Sequence, residues 1–397
     1  MLSPPRLIAH LDMDAFYASV ELLRYPELAG MAVVIGGGSR HRPEESTDPV
    51  TGQVTRHFTR LRDYVGRGVA TTATYAARAL GVNSAAGLMK AARLAPDAIL
   101  LPTDFDAYRR HSRAFKAAVR AVAPLVEDRG IDEIYIDLTG VTLPEHDGAA
   151  DDPTEAWWRA RDVARAIKEA VRAATGLSCS IAVAPNKLLA KIASELDKPD
   201  GLTMLAVDDI PLRIWPLAAR KINGIGPKTS ERLEALGVHT IGDLARADAA
   251  WLIEHFGTSR GAWMHDAANG RDERAVVTES EPVSISRETT FERDLHAKRD
   301  RDELSAIFTE LCTDLAGDLQ RKGYLGRTIG IKLRYDNFKI VTRDRTIEVP
   351  TQDAGMIRRV AGECLKRVPL DRRLRLLGVR VGGLSHCDAA ALLFESL

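Results

Sequence analysis

HLDMDAFYASVE, residues 10–21, overlaps a segment that alternates from Arg6 to Ala15. Read as a strand, the segment sends Leu7, Ala9, Leu11 and Met13 to one face and Ile8, His10, Asp12 and Asp14 to the other. The first set makes a core face. The second puts two carboxylates side by side, where like charges repel and desolvation is costly. GIDEIYIDLTG, residues 130–140, is a second apolar strand with acids on it: Asp132, Glu133 and Asp137. Acids gathered on two such strands repel unless something positive lies between them, and a divalent cation held by oxygen ligands resolves the conflict. Two ions about 4 Å apart serve in-line phosphoryl transfer. Asp132 and Glu133 are neighbours, so a regular strand would send them to opposite faces. Both can bind metal only if the backbone bends there, which Gly130 permits. Scattered surface carboxylates are the plain alternative.

Around these strands the chain reads as mixed α+β. Phe16–Tyr25 continues as a short helix ending before Pro26, and Ala32–Ile35 is a short strand running into Gly36–Gly38. Residues 39–67 are polar and aperiodic, with turn signals at Pro43, Asp48-Pro49 and Thr51-Gly52. They read as an inserted loop with one helical turn near His57–Tyr64. Helical patterns follow at Tyr75–Leu80, Ala86–Leu94, Phe105–Ala123 and Trp157–Thr175. Ser178–Ala184 is a strand feeding a helix over Asn186–Leu196. Two acid-bearing strands with a helix and a third strand after them suggest a ferredoxin-like sheet. Beyond Gly201 the texture changes: Ile210–Asn269 is helical with short turns, and Arg271–Pro282 is a polar linker. Val283–Gly383 returns to helix and strand, with strands at Thr328–Tyr335, Ile340–Val349 and Leu374–Val381.

A chain of 397 residues accommodates two to four domains at roughly 100–200 residues each. Its 55 basic and 55 acidic residues cancel, but their distribution does not. From Arg321 to Arg380 sixteen Lys and Arg face six Asp and Glu, an electrostatic footprint of nucleic-acid binding or, more plainly, a solvated charged surface. Cys179, Cys312, Cys364 and Cys387 are scattered without a CxxC pair, which argues against a disulfide framework or zinc site and fits a reducing cytosol. No run of about 18 apolar residues spans a membrane, and Asp12 and Asp14 interrupt the only candidate signal segment. A cytoplasmic location is the expectation.

Four separated motifs now combine. HLDMDAFYASVE, TTATYAARALGV (residues 71–82), GIDEIYIDLTG and SIAVAPNKLLAKIASELDKPDG (residues 180–201) together resemble the Y-family DNA polymerases, the polymerase IV-like translesion enzymes. The resemblance runs from about Ile8 to Gly383, with the motifs in the family's order. It implies a right-hand polymerase: a ferredoxin-like palm (1–15 and 104–205), small fingers (16–103, with the loop at about 39–67 inserted), a helix–hairpin–helix thumb (206–270), a linker (271–282) and an α+β little finger (283–385). Residues 386–397 are then a tail.

The resemblance also assigns roles. Asp12, Asp132 and Glu133, with the Met13 main-chain carbonyl, hold two Mg2+ ions, and Asp14 and Asp137 support them. Thr72, Tyr75, Arg78 and Lys198 contact the triphosphate of an incoming dNTP. Without the motif, Lys198 reads as an ordinary cation at a helix C-terminus. Tyr17, after Phe16, holds the place of the steric gate against a ribose 2′-hydroxyl. In KINGIGPKTSERLEALGV (residues 221–238), Gly224 and Gly226 let backbone amides approach a phosphate of primer–template DNA, and Lys228 adds charge. SISRETTF, from Ser284, opens the little finger, with Ser286 and Arg287 toward DNA. The final DAAALLFESL resembles a worn sliding-clamp motif, with Leu392, Leu393 and Phe394 as its hydrophobic plug but no Gln. The implied enzyme is a monomeric, low-fidelity, template-directed DNA polymerase that crosses damaged bases. A DNA-binding accessory protein on a disabled polymerase scaffold would lack a ligand, and a nucleotidyl cyclase would have no duplex to hold.

Overall fold

The computed structural model describes residues 6–143 and 152–387, and these fall into two compact units that part between Glu279 and Ser280. The first unit is built around β1 (Ile8–Met13), which leads through Ala15, in left-handed conformation, straight into α1 (Phe16–Arg24). The chain then makes β2 (Val33–Gly36), β3 (Glu44–Thr47), β4 (Val54–His57), β5 (Ala70–Ala73), α2 (Tyr75–Ala79), α3 (Leu88–Leu94) and β6 (Ile99–Leu101). β2 pairs with β5 and β6 over a small core of Val34, Leu61, Tyr64, Leu88 and Leu100.

Within this region residues 39–67 are not the loop that the sequence suggests. β3 and β4 form an antiparallel hairpin pairing Glu44 with His57 and Thr47 with Val54. The Asp48 carboxylate accepts from the amides of Val50 and Thr51 and so folds the turn, while Arg56 reaches across to Glu45. The helical turn expected near His57–Tyr64 is a three-residue 3-10 turn at Leu61–Asp63. The hairpin escapes a periodicity reading because both its faces are wet: seven of its eight strand residues are exposed.

The chain returns through α4 (Phe105–Val122), β7 (Val126–Asp128), β8 (Glu133–Asp137), α5 (Pro153–Thr175), β9 (Cys179–Ala184), α6 (Lys187–Ala193) and β10 (Leu202–Met204). The sheet order is β10-β9-β1-β8-β7, with β1 antiparallel to both neighbours. Strands β1, β7, β8 and β9 with α4 and α5 thus interleave two βαβ units, which is the ferredoxin-like arrangement. Leu7, Ala9, Leu11 and Met13 pack with Phe115, Val119, Val163 and Ile167 of the two helices. The opposite face is buried as well, since Ile8, His10 and Asp14 are each at most 3% exposed. His10 meets Ser194 just beyond α6, and that covering explains why a nominally polar face is dry.

Helices α7 (Pro227–Ala235), α8 (Ile241–Arg246), α9 (Ala249–Phe256) and α10 (Thr258–Ala268) follow around Ile222, Leu233, Leu244, Leu252 and Met264. Residues 271–282, a linker by composition, are fastened to this unit along their first half. Leu188 donates its amide to Asp272, buried Lys187 pairs with buried Glu127 and also donates to the Ala275 carbonyl, and Glu127 accepts from the Val277 amide.

The second unit comprises β11 (Ser284–Leu295), α11 (Arg301–Lys322), β12 (Tyr324–Tyr335), β13 (Ile340–Thr351), α12 (Ala354–Leu365) and β14 (Leu374–His386). Its sheet runs β11-β14-β12-β13, and its core joins Phe308, Leu315 and Ile357 of the helices to Ile331, Leu333 and Val379 of the strands. No helix among the described residues is long and apolar enough to cross a membrane.

Candidate active site

Register brings the acids together. Asp12 lies opposite Glu133 on one side and Ser180 on the other. Asp132 precedes β8 in a bend, and its carbonyl accepts from the Met13 amide at 3.1 Å. The strand begins only at Glu133, so these adjacent acids escape the alternation that would have parted them. Burial pushes the Asp12 carboxyl up to about 6, against the pull of Lys198, and raises Asp132 too, with the charge of Glu133 adding to it. Glu133 is held down at about 2, first by the hydrogen bond from His10 and then by Lys191. Burial lowers the pKa of His10 itself, whose other ring nitrogen lies 2.8 Å from Ser194 Oγ.

Two ammonium groups stand among these carboxylates. Lys198 Nζ is 3.0 Å from Asp12 Oδ1 and also bridges to Glu195, while Lys191 Nζ contacts Glu133. Among the described residues no three acidic, His or Cys side chains close into a cage around an ion. Asp12 thus pairs with Lys198 and Glu133 with Lys191. The donors are hard oxygens in a partly dry cleft where burial disfavours ionisation of Asp12 and Asp132, and positive charge is drawn to them. That chemistry fits a divalent cation of the magnesium kind.

The other predicted residues fall into groups. Thr72 on β5 accepts from Arg78, whose guanidinium also donates to the Ala73 carbonyl and lies 5.1 Å from the Tyr75 ring centre. Burial pushes the Tyr75 phenol up to about 12, and its next influences are Asp14 and Lys198, which places it by the carboxylate end of β1. Tyr17 stacks on Tyr108 with centroids 4.3 Å apart and meets Phe105 edge-on, and its pKa is raised by burial and by the charge of Asp132. Tyr108 donates to buried Glu21 at 2.7 Å. Lys191, His10, Tyr108 and Glu21 escape sequence reasoning. The spacing of Lys191 within NKLLAKIASELDK, seven residues before Lys198 and so two turns along a helix, was the one available signal.

Away from this cluster, Gly224 adopts φ +112°, and a Cβ there would lie 2.8 Å from the Trp263 ring, so glycine is required. Gly226 caps α7 with open space around it, and Lys228 is exposed in the first turn. The element before this turn is one 3-10 turn, Ala219–Lys221, rather than a full helix. In the second unit, Ser286 is exposed on β11, whereas Arg287 turns to α11 and pairs with Asp318, which Arg321 also contacts. Leu392, Leu393 and Phe394 lie outside the described residues.

This α+β architecture is that of the Y-family polymerases. It is similar to a solved Y-family DNA polymerase chimera with a TM-score of 0.74, covering 95% of this chain and 98% of that one at 22% identity. The impB/mucB/samB family model matches residues 11–195, its C-terminal domain matches residues 282–392, and the chain belongs to that family. It is 38% identical to DNA polymerase IV of Alkalilimnicola ehrlichii over 96% of this chain and 95% of that one. The DNA polymerase IV of Halorhodospira halophila is 36% identical over 99% of both chains, and that of Caulobacter vibrioides 37% over 96% and 85%.

Proposed function

We propose that the protein is a DNA-directed DNA polymerase of the translesion type, adding deoxynucleotides to a primer 3′ end and crossing damaged template bases. The observation that carries this reading is the convergence of Asp12, Asp132 and Glu133 with Lys198 and Tyr75 at one end of the ferredoxin-like sheet. The enzyme depends on a divalent metal. Asp12, Asp132, Glu133 and the Met13 carbonyl would hold it, as two Mg2+ ions. Those ions would supply Lewis-acid activation of the primer hydroxyl and neutralise charge on the triphosphate. Lys198, on the loop after α6, binds the triphosphate, and Arg78, Tyr75 and Thr72 bind it from α2 and β5. Tyr17, backed by Tyr108, excludes a ribose 2′-hydroxyl.

In this reading residues 1–15 and 104–205 are the palm, 16–103 the fingers, 206–270 the thumb and 283–385 the little finger. Gly224, Gly226 and Lys228 grip a phosphate of primer–template DNA. Ser286 and Arg287 do so in the second unit, where Arg287 and Arg321 share one carboxylate and leave a net positive charge. The monomer works in the cytoplasm, and its tail, through Leu392, Leu393 and Phe394, docks weakly on a sliding clamp. Primer extension with Mg2+ tests the core of this reading, on an undamaged template and on one with a minor-groove guanine adduct. Wild type should extend both and Asp132→Ala neither. Absence of extension by wild type, with DNA binding intact, would instead favour the accessory-protein reading.

A further inference from the structure

Asp14, cast by the resemblance as a support for the metal ligands, is a buried acid that hydrogen-bonds to none of them. It is 3% exposed, and each hydrogen-bond partner it has is neutral. Ser178 donates to Oδ2 and Ser180 to Oδ1, both at 2.8 Å, and the Asp200 amide donates to Oδ2 at 2.8 Å. A carboxylate kept from water is tolerated when its oxygens are satisfied this way. Asp14 follows directly on β1, the strand that carries Asp12, and Asp200 belongs to the turn that carries Lys198.

That turn is tightly built. Asp200 has φ +58°, and a Cβ on Gly201 would lie 2.4 Å from the Asp197 carbonyl. From α5, Lys168 Nζ donates to the carbonyls of Asp200 and Gly201 and to the Asp200 carboxylate, and Arg172 grips that carboxylate as well. The turn is therefore held from two sides, by α5 and by Asp14 of the catalytic strand. Lysine is a flexible four-carbon stem, so the place of its ammonium depends on how firmly its backbone is fixed.

We propose that Asp14 is a positioning residue: by binding the Asp200 amide it fixes the 198–201 turn against the catalytic strand and so sets Lys198 for the nucleotide triphosphate. The inference rests on the reading of Lys198 as a triphosphate contact. Asp14→Ala tests it, because it removes both acceptor oxygens, whereas an amide could turn its one oxygen to the Asp200 N–H.

Single-nucleotide insertion is measured for wild type, Asp14→Ala, Lys198→Ala and the double variant, alongside the dissociation constant for primer–template DNA. In Asp14→Ala the KM for dNTP should rise roughly tenfold while kcat falls less than about threefold, with DNA affinity unchanged. In the Lys198→Ala background the same substitution should change KM by less than about twofold, since coupled residues do not add. An undiminished effect in that background, or no change in KM, overturns the inference. If Lys198→Ala alone leaves KM unchanged, the reading of Lys198 has failed instead, and the proposal falls with it. Should Asp14→Ala not fold, Ser180→Ala removes one donor to the same carboxylate. It should give a smaller KM rise that also vanishes without Lys198, and a KM rise that persists overturns the proposal.

Discussion

Asp12 and Glu133 face each other across one pair of strands, yet their acidities diverge because burial dominates at one and hydrogen bonding at the other. This has a consequence for pH. As pH falls through about 6, Asp12 takes up a proton while Glu133 stays ionised. Proton and cation compete for the same oxygen, so the Mg2+-induced rise in Tm should be full near neutrality and shrink below pH 6. Without cation the sign reverses. A carboxyl raised above its unfolded value favours the folded state at low pH, and that contribution is lost as pH rises from about 4 to about 6. Melting curves with Mg2+ and with chelator at several pH values check both signs. At the gate, Tyr17→Ala should lower discrimination against ribonucleotides by on the order of 100-fold, read from kcat/KM with dNTP and rNTP. Unchanged sugar selectivity would refute the gate. The three acids were legible because they interrupt apolar strands. Tyr108 and Glu21 were not, because each reads as an ordinary member of an amphipathic helix and only packing joins them, 87 residues apart.

At the scale of elements, legibility followed length and burial. The long helices α4 and α5 and the acid-bearing strands announce themselves by period. Strands β6, β7 and β10 have three residues each, too few to alternate. The β3–β4 hairpin was invisible for the other reason, since it buries no face and its register rests on the Asp48 turn and the Glu45–Arg56 pair. An element that buries so little contributes little to the fold. Replacing residues 45–56 with a short Gly-Ser turn should therefore leave Tm within a few degrees and primer extension within about twofold. A loss of extension with Tm unchanged would show that the hairpin touches template or nucleotide.

For the whole molecule, neutral net charge conceals a basic excess in the second unit, and in the proposed function that unit and the glycine turn of the first are two separate holds on DNA. Contacts of this kind release counterions, so binding of primer–template should weaken steeply with salt, with a log–log slope of roughly −0.9 per phosphate neutralised. Lys228→Ala should reduce that slope by about one without altering sequence preference, measured by fluorescence anisotropy across a salt series. The buried Lys187–Glu127 pair gives this bivalency its strength. Val277 is fastened to the first unit through Glu127, and Glu281 bonds Tyr324 in the second, so only residues 278–280 lie between the two anchors. A leash that short reaches no more than about 14 Å, and it presents the second grip to bound DNA at an effective concentration in the millimolar range or above. If the proposed holds are right, two individually weak, sequence-blind contacts act with the avidity of one strong one, on a leash whose near end is the Glu127–Val277 bond.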